Sequence, residues 1–338
     1  EAIAVWIEMA YISAAKDYMS ILRSFGLGVI LGLLAGYLFI WNLHFNIIIS
    51  LLAAACISYG TMLVGFTITL HNYFPIGNGT SLMFLEWIEK YPILIWVGLF
   101  TMLGLFTHLL LMWGSPWGKQ AIGLFYHAPA HDIPALVAFL TTLVTTVNFV
   151  TSVEVNFYPK YRTYFSLLNE GGSLIDIEKA YKEMITTLKQ ELFYLAQVQM
   201  FVEVIVIAVA GAIIPGLGMG FNTVMIGLFR VLCVGYGLFA IGNSIVLFLL
   251  YFSDNKGALL VTSTLFVVNV IGTLFTFTLP QYYYGFGFLV ASLCMYIVGW
   301  IRLSLYIRHL DYNIFCKQPI FLAEKHGWLT RIARRLDA

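Results

Sequence analysis

The sequence predicts an all-α, polytopic bundle of membrane-spanning helices. Three observations carry this. Sixty per cent of the 338 residues are apolar and only ten per cent are Asp, Glu, Lys or Arg, where a soluble domain has about a quarter charged. Eight apolar stretches recur, at about 24–41, 47–70, 91–113, 133–153, 193–214, 222–251, 257–279 and 284–307. Each is long enough to cross a hydrocarbon core roughly 30 Å thick, and the longest must tilt or extend past it. The charged residues gather in the connections between them.

Taken in order, Glu1–Arg23 is neither a signal peptide nor a clean span. The chain opens on Glu, so it reads as a piece of a longer polypeptide that lacks its amino-terminal part. The first span carries "GVILGLLAG", which puts Gly28, Gly32 and Gly36 on one helical face. Small residues in such a row let helices approach closely, and "GYGLFAIG" (235–242) is expected to do the same in the sixth span. Between the second and third spans lies "HNYFPIGNGTSLMFLEWIEKY", a linker. The loop "FYHAPAHDIP" before the fourth span offers His127, His131 and Asp132 at a spacing that suggests zinc. However, no Glu follows His127 and two prolines intervene, so an HExxH helix is excluded. Asp132 is expected instead to cap the fourth span, with Pro134 in its first turn. No metal site is expected.

The connection Val155–Gln190 reads as two polar helices. Pro159 suits the first turn of one, Gly171–Gly172 end it, and Ser173 caps the next, with Asp176 and Glu178 in its opening turn. Leu174, Ile177, Tyr181, Met184, Leu188 and Leu192 recur at steps of three and four, which marks one apolar stripe. That helix can run straight into the fifth span. Two roles suit the pair: lying on lipid headgroups, or docking a cytoplasmic partner through Lys160, Arg162, Lys179 and Lys182. All nine prolines fall in loops or at span ends. Transporters with broken helices tend to interrupt their spans with Gly or Pro, so an ion site made from unwound backbone is not expected. "PQYYYGFGF" (280–288) reads as an interfacial aromatic belt, or as rings of Tyr282, Tyr283 and Tyr284 that stack on sugars at an exit.

Basic residues accumulate on the cytoplasmic side of membrane proteins. With residues 1–23 placed inside, the inside segments hold sixteen of the eighteen Lys and Arg residues, counting Arg302 at the inner end of the last span. Lys119 alone is left outside, and Arg230 falls within a span. The carboxyl terminus is therefore expected in the cytoplasm. Two charges lie deep in the predicted spans, Glu203 in the fifth and Arg230 in the sixth, where each costs roughly 2.5–3.5 kcal/mol or more. Three readings are open: a buried ion pair that fixes packing, the lining of a polar conduit, or Glu203 as a proton-coupling carboxylate. Glu154 closes the fourth span.

The formal net charge of +1 gives no reason to expect nucleic acid. Cys56, Cys233, Cys294 and Cys316 are isolated and form no metal spacing or disulfide framework. No Walker lysine, nucleophile elbow or paired catalytic carboxylates appear, so neither an enzyme nor a cofactor is expected. Energy for transport has to come from a gradient, a partner or the growth of the cargo.

Four segments together resemble the PelG family of exopolysaccharide transporters: "ISAAKDYMSIL", "LFYHAPAHDIPALVAFLTT", "VEVNFYPKYRTYFSLLNEGGSLIDIEKAYKEM" and "LDYNIFCKQPI". They occur in order over essentially the whole chain. The resemblance implies a two-lobe fold like that of drug/sodium antiporters and lipid-linked oligosaccharide flippases, with about twelve spans in the full protein. Residues 1–70 would hold a lead-in and the last two helices of the first lobe, and 71–91 a cytoplasmic linker. Residues 92–307 would form the six-helix second lobe, including the helical pair 155–192, and 308–338 a cytoplasmic tail. The implied function is export of a partly deacetylated N-acetylgalactosamine polymer across a bacterial inner membrane. The implied partners are a cytosolic glycosyltransferase and other membrane proteins of a synthase complex. A cationic polymer favours acidic and aromatic walls, which makes Glu203, Glu154, Tyr282, Tyr283 and Tyr284 the conduit candidates, with Arg230 added as a charge within a span. Rival readings are a cation-coupled small-molecule antiporter, in which the lack of mid-span prolines is a departure, and a non-transporting scaffold for the glycosyltransferase.

Overall fold

A computed structural model describes residues 1–15, 17–75, 84–213, 220–310, 312–313 and 327–336. Lys16, Lys317, Lys325, Cys316, Pro215, Pro319 and the middle of the 71–91 linker lie outside the described residues. Eight helical segments are long and apolar enough to cross a bilayer: Tyr18–Asn42, Ile47–Tyr73, Pro92–Trp113, Pro129–Glu170, Leu174–Ala212, Thr223–Tyr251, Asn255–Thr276 and Gln281–Arg308. One falls on each predicted stretch. Hydrocarbon offers no water to backbone N–H and C=O groups, so a spanning segment must satisfy them within itself, as a helix does. Large apolar side chains such as Leu33, Ile48, Phe201 and Val204 stay on the surface, as lipid-facing helices require. The fold is all-α and polytopic.

The described chain divides into two compact units, residues 1–84 with 332–338, and residues 85–331. The first holds α1 (Ala2–Ala14), α2 (Tyr18–Tyr37) and α3 (Ile47–Tyr73). Asp17 caps α2 by accepting from the Ser20 N–H at 3.1 Å, and the Tyr73 hydroxyl of α3 donates to the same carboxylate at 2.9 Å. The glycine row behaves as the sequence suggests. A Cβ at Gly28 would press on Met62 and the Ser58 carbonyl, one at Gly32 on Ser58 and the Ala54 carbonyl, and one at Gly36 on Ala54. Between helices in lipid this close backbone approach supplies the attraction that hydrophobic burial supplies in water. Val5 and Ile12 of α1 pack on Met62 and Phe66 of α3.

The second unit holds α4 (Phe84–Lys90), α5 (Pro92–Trp113), a hairpin of β1 (Lys119–Ile122) and β2 (Phe125–His127), α6 (Pro129–Leu140) and α7 (Thr142–Thr151). It continues with α8 (Tyr158–Glu170), α9 (Leu174–Ile213), α10 (Thr223–Tyr251), α11 (Asn255–Thr276), α12 (Phe286–Arg308) and the start of α13 (Trp328–Leu336). Helix α10 is its axle, packed against α6, α7, α9, α11 and α12, while α5 lies along α11. Its Gly235 and Gly242 meet Phe288 and Met295 of α12, the packing role expected for this motif.

Three expectations are corrected here. The fourth span is not continuous. It starts at Pro129, a turn earlier than expected, so Pro134 lies inside helix α6, and it breaks at Thr141. The break needs neither Gly nor Pro. The Thr141 and Thr142 hydroxyls donate back to the carbonyls of Ala138 and Phe139, both at 2.7 Å, a bond that competes with the helical ladder and bends it. The span then passes through a π-helical turn, Ser152–Phe157, directly into α8. Secondly, Glu203 and Arg230 form no ion pair. Glu203 meets the backbone at Gly237 whereas Arg230 meets Gly211, so they lie about two turns apart along the antiparallel α9–α10 seam.

The third correction concerns the helical pair. Helix α9 has 40 residues, about 60 Å at 1.5 Å per residue, so roughly half of it extends past a 30 Å core. Its apolar stripe does not lie on headgroups. Met184, Leu188 and Leu192 are buried in the protein core with Phe157, Tyr164 and Phe248, and the Tyr181 hydroxyl donates to the Ile307 carbonyl at 2.7 Å. Gly171 ends α8 in the left-handed conformation at φ 87°, and the Ser173 hydroxyl accepts from the Asp176 N–H at 3.2 Å.

Candidate functional site

The break in the fourth span leaves a mark at the centre of the second unit. At Thr141 the ordinary helical bond gives way to a longer one from the Val144 N–H, at 3.4 Å. The same carbonyl accepts from Gln199 Nε2 of α9 at 3.3 Å. One turn on, the Thr145 hydroxyl donates to Gln199 Oε1 at 2.5 Å. Gln199 Nε2 also donates to Glu203 Oε1 at 2.9 Å, across a single turn of α9. Every one of these side chains is buried: Gln199 is 0 % exposed, Glu203 2 % and Thr145 3 %.

Helix α10 closes the cluster. A Cβ at Gly237 would overlap the Glu203 carboxylate, so the missing side chain is what admits the acid. Cys233, one turn earlier on the same face, is buried beside it. Glu203 Oε2 has no hydrogen-bond partner, and no cation reaches the carboxylate among the described residues. A buried charge in that setting costs several kcal/mol unless paired, so the site favours any process that neutralises the acid.

A second buried cluster lies on the side of α10 toward the β-hairpin. The Tyr236 hydroxyl and His108 Nε2 are 3.2 Å apart. Phe288 stacks on His108 at 4.4 Å between ring centres, and His131 stands edge-on to it at 5.3 Å. Asp132 accepts from Trp113 Nε1 at 3.0 Å and from the Ala128 N–H at 2.7 Å. It ties down the start of the fourth span from within its first turn, the cap position being Ala128 and not Asp132 as expected. Beyond this cluster a hollow of about 540 Å³ opens, lined by Trp117, Lys119, Ile133, Asn222, Met225 and Gln281 among others.

The conduit candidates are scattered. Glu203 is enclosed, and Arg230 is exposed on the same seam. Glu154 is half-buried in the π-helical turn. Tyr282 and Tyr283 are exposed near the hollow, whereas Tyr284 is buried against Trp117 and Phe277. At the other end, Lys160 pairs with Glu183 and Lys182 with Glu178, both at 2.7 Å, while Arg162 and Lys179 are exposed.

Sequence reasoning missed Thr141, Thr145, Gln199 and Gly237, and also His108 and Tyr236. A signal existed for Gln199, which stands one helical turn before Glu203. His108 is a lone ionisable residue inside an apolar run. Reasoning also missed a buried ion pair that the unit does form. Arg302 of α12 grips Asp254 with Nε at 2.7 Å and a terminal nitrogen at 2.8 Å, and Asp254 caps α11 through the Gly257 N–H at 3.1 Å.

Among protein-family models, the one described as "PelG: Putative exopolysaccharide Exporter (EPS-E)" matches residues 1–315. Neither a curated protein nor a solved structure matches the chain.

Proposed function

The chain belongs to the PelG family of exopolysaccharide exporters, and from that premise we propose that it moves a growing, partly deacetylated N-acetylgalactosamine polymer out across the bacterial inner membrane. The observation that carries this reading is the family match over residues 1–315 of a chain with eight candidate spans. The end of the second unit that bears α8 and the projecting half of α9 is proposed to face the cytoplasm and to receive the polymer from a cytosolic glycosyltransferase. Further membrane proteins would complete the synthase complex. The exposed faces of Lys160, Arg162, Lys179 and Lys182 are the proposed contact.

At the opposite end, the exposed Tyr282 and Tyr283 rings and the hollow beside Trp117, Asn222 and Gln281 suit a polar polymer that leaves in an extended form. Aromatic faces stack on the apolar side of a sugar ring, and amides bond its hydroxyls. Glu154 and Glu203 remain the proposed acidic contributors, with Glu203 acting from an enclosed position. Arg230, exposed on the seam, is proposed to border the same path.

The test is export by cells that carry the full-length protein with its synthase. Replacing Tyr282 and Tyr283 together by Ala is expected to lower secreted polymer severalfold while leaving the amount of membrane-inserted protein unchanged. Unaltered secretion by a chain deleted of the whole second unit would overturn the reading. Loss of glycosyltransferase capture on reversing the charge of Arg162 and Lys179 would support the docking face.

A further inference from the structure

The cluster around Glu203 has a chemistry that export of a neutral or cationic polymer does not itself explain. A carboxylate lies in the middle of the second unit, out of contact with water, with one oxygen bonded only to Gln199 and the other to nothing. The surrounding elements offer it no positive charge. Thr141 and Thr145 of the fourth span bond its partner Gln199 of α9, and Cys233 and the bare backbone at Gly237 adjoin it on α10. Arg230, the nearest basic residue on the two seam helices, sits at Gly211. On α10, Arg230 is seven residues from Gly237, about 10 Å along the helix.

Two kinds of occupant neutralise an enclosed carboxylate, a metal cation or a proton. A metal cation needs converging oxygens. Here the amide is turned the other way: Gln199 Oε1 is occupied by the Thr145 hydroxyl, and its N–H groups point at Glu203 and at the Thr141 carbonyl. A proton needs no cage. An unpaired neutral O–H costs about 1–3 kcal/mol, well below an unpaired buried charge.

We propose that Glu203 is a proton-carrying site, occupied in the packed arrangement of α7, α9 and α10 and emptied when these helices separate. In the step itself the O–H bond at Glu203 Oε2 breaks, the proton passes to water, and a carboxylate remains. The carboxylate is stable only where the α9–α10 seam admits solvent or brings Arg230 nearer. Because protonation and packing favour each other, the coupling is reciprocal: a proton gradient biases the seam, and opening the seam moves a proton. The interruption at Thr141 gives the site a mechanical handle, since a change in the fourth span there changes what Gln199 holds. The proton site rests on the structure alone, and its use to drive export rests on the reading above.

The experiment is infrared difference spectroscopy of the full-length protein in lipid nanodiscs while the pH is stepped. A protonated-carboxyl stretch is expected at neutral pH in the wild type and is expected to be lost in Glu203→Gln, an isostere of the neutral acid. Labelling with [13C]glutamate shifts the band in the unsubstituted chain and leaves it unshifted in Glu203→Asp, which keeps a carboxyl at the site, so the assignment does not depend on the Gln variant alone. Absence of such a band at neutral pH overturns the proposal. Removal of the band by sodium chloride at fixed pH also overturns it, in favour of a metal cation. Export with no band leaves the export reading standing without the proton site, and a band in a chain that exports nothing does the reverse.

Discussion

At the scale of single residues, the contact that shapes the buried site is made at a glycine. Gly237 sits where any side chain would collide with the Glu203 carboxylate. Overpacking of a filled interior costs about 1–3 kcal/mol, so Gly237→Ala is expected to lower thermal stability in detergent by that amount. Glu203→Ala on the same chain should return most of the loss, and additive effects of the two substitutions would show that they do not touch. A second prediction concerns charge. Asp254 is 5 % exposed and held by both arms of the Arg302 guanidinium. Removing one partner of a buried pair costs about 3–5 kcal/mol. The partial exposure of Arg302 places Arg302→Met at the lower end of that range, as thermal unfolding would show.

These two sites also mark the limit of what was legible. Hydropathy places a charge at a depth in the membrane but not at an angle around its helix. Glu203 and Arg230 therefore looked like partners, and the helix rotation that sends one to Gly237 and the other to Gly211 could not be read. The true pair joins a cap residue to a residue 48 positions away, and nothing in local pattern connects them. Local features fared better because local chemistry dictates them: the glycine row, the left-handed Gly171 and the Ser173 cap each follow from a few neighbouring residues.

At the scale of elements, the α2–α3 contact and the tail give separate predictions. Gly32 meets Ser58 and the Ala54 carbonyl, so a larger residue must push the helices apart. Gly32→Leu is expected to abolish a disulfide engineered between α2 and α3 that forms readily in the unsubstituted protein. At the start of α13, Glu89 accepts from the Leu329 N–H at 2.6 Å and from the Thr330 hydroxyl at 2.6 Å. That hydroxyl bond first, and then the backbone N–H groups, hold the Glu89 carboxyl below its usual range against the opposing effect of burial. A carboxyl lowered on folding contributes stability above its unfolded value, about 4.3, and loses it as pH falls through the folded value. The first turn of α13 should therefore stay protected from protease at neutral pH and become susceptible below about pH 4. Glu89→Gln should be susceptible at every pH. The element least legible in advance was the fourth span. Its break comes from two threonine hydroxyls bonding back along the helix, a weak signal beside Gly or Pro, and this break supplies the Thr141 carbonyl to the buried site.

At the scale of the whole molecule, the distribution of basic residues predicts how the chain sits in the membrane. Fifteen of eighteen Lys and Arg residues fall in alternate connections, Arg302 lies at the matching end of the last span, and Lys119 is left in the opposite set. The eight candidate spans preserve that alternation, so one labelled position on each side determines the rest. Retention of positive charge on the cytoplasmic side depends on loops near the span ends, and both test positions qualify. Lys119 lies in the short hairpin after α5, and Lys182 in the amino-terminal half of α9, a helix about twice as long as a bilayer core requires. In a chain with its cysteines replaced by Ser or Ala, Lys119→Cys is expected to react with a membrane-impermeant maleimide once the outer membrane alone is opened. Lys182→Cys should react only after the inner membrane is breached. The reverse pattern would turn the molecule over, place the projecting helices outside the cell, and leave a cytosolic synthase nothing to dock on. Labelling of both positions from one side would mean an even number of crossings between them, whereas the single candidate span Pro129–Glu170 separates the two.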